Sequence, residues 1–248
     1  EKGEFELKID TPKIILFSAI GFQTKKVSSD SIRNILELKP AINELDEIII
    51  NSKKLAKELT IGEFKKSKIN SYFACGIQPW ISAKFFEHKE EYEKTPYLKK
   101  FRILTNSDIK NSKFKIRLYR VNEKGEPQNY IYNENIIAIA KKGKRTTEID
   151  VSELNIEFPE KGFFIAIEWL IIEENKYEYK YIMKGSRKKL KDISYEPAIG
   201  IVPAKTNENS WRFNKGKWSK TSWKNNNESM KKYRNKYNQL AIELTLTN

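Results

Sequence analysis

From residue 80 onward the chain falls into apolar runs of strand length, separated by turn residues at intervals of about 8 to 15 residues. No run keeps a helical period for long, so the chain must bury itself as paired strands. Residues 113–121 alternate cleanly. Phe114, Ile116 and Leu118 point one way, and Lys113, Lys115, Arg117 and Tyr119 the other. The longest apolar run, residues 163–172, is interrupted by Glu168. Further strands are predicted at 80–86, 98–104, 135–140, 147–151, 155–158 and 197–202. Asn214-Lys215-Gly216 between two aromatic segments predicts a hairpin. In the closing strand, 240–246, Leu240, Ile242, Leu244 and Leu246 fall on the core face. Residues 224–238 are polar and low in complexity, which predicts a mobile loop. The expectation for residues 71–248 is a jelly-roll-like β-sandwich. Residues 52–70, rich in Lys and sparse in apolar groups, are expected to be a linker.

The first fifty residues also alternate. Gly3, Phe5, Leu7 and Ile9 form one pattern, and Phe17-Ser18-Ala19-Ile20-Gly21-Phe22-Gln23-Thr24 a second. Leu38, Pro40 and Leu45-Asp46-Glu47-Ile48-Ile49-Ile50 complete the set. This string resembles the carboxypeptidase regulatory-like domain, a transthyretin-type sandwich common in Bacteroidota envelope proteins. The resemblance implies a partial Greek-key domain over residues 1–51. The family's leading strands are missing from it, so preceding residues or another chain are expected to complete it, with Phe5, Leu7 and Ile9 on its buried face. The stretches 114–119, 149–152, 158–169 and 195–197 resemble the region that accompanies such domains, which brings context but no mechanism.

The formal net charge is +14, from 47 Lys and Arg against 33 Asp and Glu. Only eight of the cations are Arg, at 33, 102, 117, 120, 145, 187, 212 and 234, and they are dispersed among acidic residues. Forked guanidinium recognition of bases or phosphates is therefore not expected, and nucleic acid is not a predicted partner. No apolar run approaches the length of a transmembrane helix. The expected location is the periplasm or the outer-membrane surface, with a signal peptide taken as removed.

Catalytic chemistry has little to build on. Cys75 and His88 are single, which leaves no disulfide, no zinc-peptidase ligand set and no cofactor or metal site to predict. There is no nucleophile elbow, phosphate loop or dinucleotide fingerprint. Glu168, an acid inside an apolar strand, is either paired with a cation on a neighbouring strand or half of a hydrolase's carboxylate pair. Binding has more material. Trp211, Phe213 and Trp218 surround the predicted hairpin, with Trp223 just after it, and could stack on a glycan or cap the core. Tyr177, Tyr179 and Tyr181 form a ladder on one strand face. Lys113, Lys115, Arg117 and Tyr119 are expected as an outward row facing an acidic protein surface or anionic head groups. The expected role is that of a non-enzymatic envelope accessory or structural protein. It would bind other envelope proteins as a subunit of an outer-membrane complex. A glycan-binding jelly-roll module and a hydrolase using Glu168 are the alternatives.

Overall fold

The computed structural model describes residues 57–183, 188–222, 224–225 and 231–248, together with 6, 9, 11–17, 19, 22–32 and 35–39. The chain divides into two compact units, Glu1–Asn51 with Asn133–Asn135, and Ser52–Tyr132 with Ile136–Asn248.

In the first unit β1 (Ile14–Phe17) pairs antiparallel with β2 (Lys25–Ser28), Ile14 opposite Ser28 and Phe17 opposite Lys25. The main chain of Ser29 and Lys13 closes the pair, with Ser29 N donating to Lys13 O at 2.8 Å. Ile32 and residues 35–38 are neither strand nor helix. Phe5, Leu7 and residues 45–50, which carry much of the family resemblance, lie outside the described residues.

The second unit is all-β. Its strands are β3 (Glu58–Ile61), β4 (Tyr72–Cys75), β5 (Ile81–Phe86), β6 (Tyr97–Ser107), β7 (Ser112–Val121) and β8 (Pro127–Tyr130). They continue with β9 (Ile136–Ala140), β10 (Gly143–Asp150), β11 (Phe163–Trp169), β12 (Lys176–Ile182) and β13 (Lys189–Ala204). The last are β14 (Ser210–Asn214), β15 (Lys217–Lys220), β16 (Tyr237–Leu240) and β17 (Ile242–Thr247). Among the described residues these make two antiparallel sheets. The eight-stranded sheet runs β12-β13-β6-β17-β3, with β10 on β6 and both β16 and β4 on β13. The seven-stranded sheet runs β15-β14-β5-β11-β7-β8, with β9 on β7.

The core lies between them. Leu98, Phe101, Ile103, Ile242, Leu244 and Leu246 of the larger sheet meet Phe86, Phe114, Ile116, Leu118, Phe163, Ile165 and Ile167 of the smaller, all buried. Alternation in each strand supplies this face, as a two-layer sandwich requires. One cation is enclosed with it. Lys84, on the inward side of β5, donates from Nζ to the Ile242 carbonyl at 2.7 Å, and burial pushes its ammonium down to about 8. The turn into β11 depends on Gly162, whose φ is +74°. A Cβ there would stand 2.5 Å from the Phe86 carbonyl oxygen.

Three expectations fail here. Residues 155–158 form no strand, and Glu157 makes only a single bridge with Tyr97. The linker proposed for 52–70 contains β3, which pairs with β17, Leu59 opposite Leu246 and Ile61 opposite Leu244. The alternation Glu58-Leu59-Thr60-Ile61 was hidden by the surrounding lysines, and burial against β17 outweighs them. Within the expected mobile loop at 224–238, Tyr233 is fully buried and donates its hydroxyl to the Ile201 carbonyl at 2.9 Å. A phenol sealed in this way anchors the segment it belongs to.

Candidate functional site

The residues expected to bind a partner gather on one surface, the side of the seven-stranded sheet that faces away from the core. Three cross-strand rows define it. The first runs Trp218, Phe213, Ile81, Glu168, Lys115. The second runs Lys220, Trp211, Ala83, Ala166, Arg117. The third runs Phe85, Phe164, Tyr119, Tyr130. Ala83 and Ala166 are the smallest side chains and sit at the centre. Across the space they leave, Trp218 reaches Tyr119 four strands away, with ring centroids 5.3 Å apart. Phe164 packs on Trp211 at 5.7 Å and on Phe85 at 5.0 Å. A second apolar cluster results, with Trp211 and Tyr119 only 5% and 6% exposed.

The outward cation row is thereby corrected. Lys115 and Arg117 are each 1% exposed, Tyr119 is buried and Lys113 is half-buried. The reason is Glu168, which lies opposite Lys115 in register and within reach of Arg117. Its Oε2 is 3.7 Å from Lys115 Nζ and 3.5 Å from Arg117 Nε. Arg117 also lies over the Tyr130 ring at 4.7 Å. Lys113 is held by its main chain, which Asn175 brackets with hydrogen bonds of 2.7 and 2.6 Å. The tryptophan hairpin forms as expected, but its rings are committed to packing. Trp211 is buried, and Phe213 and Trp218 are half-buried against each other at 5.3 Å.

Glu168 is occupied by two cations. Cys75 is fully buried, its thiol pushed up by burial and donating to the Gly76 and Gln78 carbonyls, so it is a poor nucleophile. His88 packs edge-on against Tyr92 and Phe158. Among the described residues no group of His, Cys, Asp and Glu could hold a metal ion. No described helix is long and apolar enough to cross a membrane.

A cleft that the sequence does not announce lies where β4, β12 and β13 of the larger sheet meet Arg212 of β14. About 410 Å³ in volume, it is lined by Gln78, Trp80, Tyr179, Asp192, Ser194 and Arg212, among others. Trp80 is stacked on Trp169 at 4.7 Å, and the Arg212 guanidinium covers it at 4.4 Å. The register of β14 on β5, with Arg212 opposite Ser82, brings these distant residues together. One wall is the ribbon of β12 and β13. There Tyr177, Tyr179 and Tyr181 stand at centroid spacings of 6.2 and 6.1 Å, opposite Ser194, Asp192 and Leu190.

No family model matches the chain, and no curated protein matches it. Two solved structures are similar at 12% identity. One holds the cysteine protease and lectin-like domains of Cwp84, a surface layer associated protein of Clostridium difficile. Its TM-score is 0.40, over 69% of this chain and 32% of that one. The other is the clostridial cysteine protease Cwp84 after propeptide cleavage, with a TM-score of 0.45 over 78% of this chain and 40% of that one. The chain thus spans well under half the length of either structure. Both likenesses are too distant to assign a function.

Proposed function

We propose that the chain is a non-catalytic contact module of the bacterial envelope, an accessory or structural subunit that binds other proteins through the β12–β13 ribbon. The observation that carries this reading is the ribbon's free end. Beyond Tyr195 opposite Cys75, β13 pairs with β12 alone among the described residues. Its tip exposes Tyr181 at 39%, Ile182 at 59% and Met183 at 53%. Apolar side chains held out on an ordered ribbon suit a protein contact better than solvent. The envelope part of the reading rests on the resemblance in the first fifty residues.

The test is co-sedimentation of the purified chain with native envelope membranes, with Tyr181, Ile182 and Met183 changed together to Ser. Loss of association with the fold intact by circular dichroism supports the ribbon as the contact. Unchanged association moves the contact elsewhere. Glycosidase or peptidase turnover that disappears in Glu168→Gln would overturn the non-catalytic part. A glycan-binding reading is favoured by one observation, the cleft where the Tyr179 ring stands beside Gln78, Asp192 and Arg212. It predicts saccharide binding by calorimetry that Tyr179→Ala abolishes and Trp218→Ala leaves unchanged.

A further inference from the structure

β12 is the outermost strand of its sheet, and among the described residues its second edge has no strand partner. An unpaired edge is a template for another strand. The sequence along it, Lys176-Tyr177-Glu178-Tyr179-Lys180-Tyr181-Ile182, is self-complementary when read against itself in reverse. With a two-fold axis through Tyr179, Glu178 of each copy faces Lys180 of the other, and Tyr177 faces Tyr181. All seven residues pair. Moving the axis to Glu178 or Lys180 sets like charges opposite each other. Moving it to Tyr177 or Tyr181 leaves three residues paired. A register shifted by an odd number would lay the tyrosine face of one copy against the charged face of the other.

The protomer alone leaves a defect that this register repairs. Lys180 is directly opposite Lys191 in the β12–β13 pairing, and among the described residues neither has an ion-pair partner. Like charges opposite one another destabilise a ribbon, and a lone two-stranded ribbon is itself marginal. A second copy would place Glu178 on the free side of Lys180, giving a row in which the carboxylate offsets the two lysines. Glu178 is exposed, and among the described residues its ion pair is with Lys176 on its own strand, at 3.3 Å. On the opposite face the two tyrosine ladders would join.

We infer that the free edge of β12 pairs antiparallel with β12 of a second copy of this chain, through a two-fold axis at Tyr179, to make an isologous dimer with one continuous sheet. This inference rests on the ribbon being the contact surface but not on any envelope partner. It is therefore tested on the purified chain alone, and its failure leaves the membrane co-sedimentation test standing. Sedimentation equilibrium of the whole chain over a wide concentration range should show a monomer–dimer equilibrium. Glu178→Lys and Lys180→Glu each turn two attractive cross-strand pairs into repulsive ones, and each should raise the dimer dissociation constant about tenfold or more. The double variant restores opposite charges in the same register and should return the constant to within a few-fold of the original. A chain that stays monomeric at every concentration overturns the inference. So does a dimer indifferent to the single changes, or one that the double change does not recover. Both positions are exposed, and unchanged circular dichroism in each variant separates loss of dimer from loss of fold.

Discussion

The two faces of the seven-stranded sheet are built from the same three central strands and reach burial by different means. The inward face of β7 and β11 presents Phe114, Ile116, Leu118, Phe163, Ile165 and Ile167, and it is closed by the opposing sheet. The outward face presents Lys115, Arg117, Tyr119, Phe164, Ala166 and Glu168. There a charge cluster and aromatic rings take the place of a second sheet. Phe163 and Phe164 are neighbours in sequence, 0% and 1% exposed, and they belong to different cores. Alternation along a strand therefore says which residues share a face. It does not say that the charged face is wet.

The sharpest way to break this comparison is to truncate both rings. Phe163→Ala should cost about 3–5 kcal/mol, the range for an aromatic in a filled core. Phe164→Ala should fall near the lower end, about 3 kcal/mol, because Phe85, which packs on it at 5.0 Å, is half-buried and relaxes more easily. Urea midpoints at constant slope measure both. A cost below about 1 kcal/mol for Phe164→Ala would mean that the outward face is not a packed core.

The next effect concerns the buried lysine on the inward face. The Lys84 ammonium is pushed from the ordinary lysine value of 10.5 down to about 8 by burial, partly offset by the charge of Glu243. The unfolded chain thus holds a proton that the folded chain releases between about pH 8 and 10.5. Stability should rise with pH across that window, by about 3 kcal/mol in total, and the burial penalty is fully present below pH 8. Chemical denaturation at pH 7.5 and at pH 10 should show this slope in the wild type, and Lys84→Met should remove it. A slope that survives Lys84→Met belongs to other groups.

What the sequence makes legible is the inward face. Leu240, Ile242, Leu244 and Leu246 are all at most 1% exposed, as their spacing requires. The outward face is illegible because its closure is non-local. Nothing in residues 113–121 says that Trp218 lies across two alanines from Tyr119, or that Glu168 arrives in register beside Lys115. Those facts follow from which strands become neighbours. β3 is illegible for a related reason. Four residues among lysines carry little periodicity, and β17 supplies the partner that makes them a strand.

Within the outward cluster, Glu168→Gln leaves Lys115 and Arg117 facing a neutral amide. Breaking a fully buried pair costs about 3–5 kcal/mol. The Glu168 side chain is 28% exposed, and water there screens part of the loss, so about 2 kcal/mol is expected. Added salt should recover little of the loss, since the two like charges that the variant leaves close together are buried. A neutral or stabilising outcome would mean that the cations are compensated chiefly by groups other than Glu168.

The smallest effect compares the charge clusters on the two outward faces. On the seven-stranded sheet two cations share one carboxylate. On the eight-stranded sheet one guanidinium is shared by two carboxylates, because Arg102 is in register between Glu148 of β10 and Glu243 of β17, and Lys100 also reaches Glu148 at 3.7 Å. Arg102 Nε donates to Glu148 at 3.0 Å, and its terminal nitrogen binds Glu243. The two carboxylates differ in their access to water. The Glu148 side chain is 52% exposed and that of Glu243 6%. An exposed ion pair is worth little, since water competes for both partners, so Glu148→Gln should cost no more than about 0.5 kcal/mol and lose that cost in salt. Glu243→Gln removes the sheltered partner and should cost about 1–2 kcal/mol, with little dependence on salt. Equal costs for the two changes would mean that register on Arg102, rather than shelter from water, sets the worth of each pair.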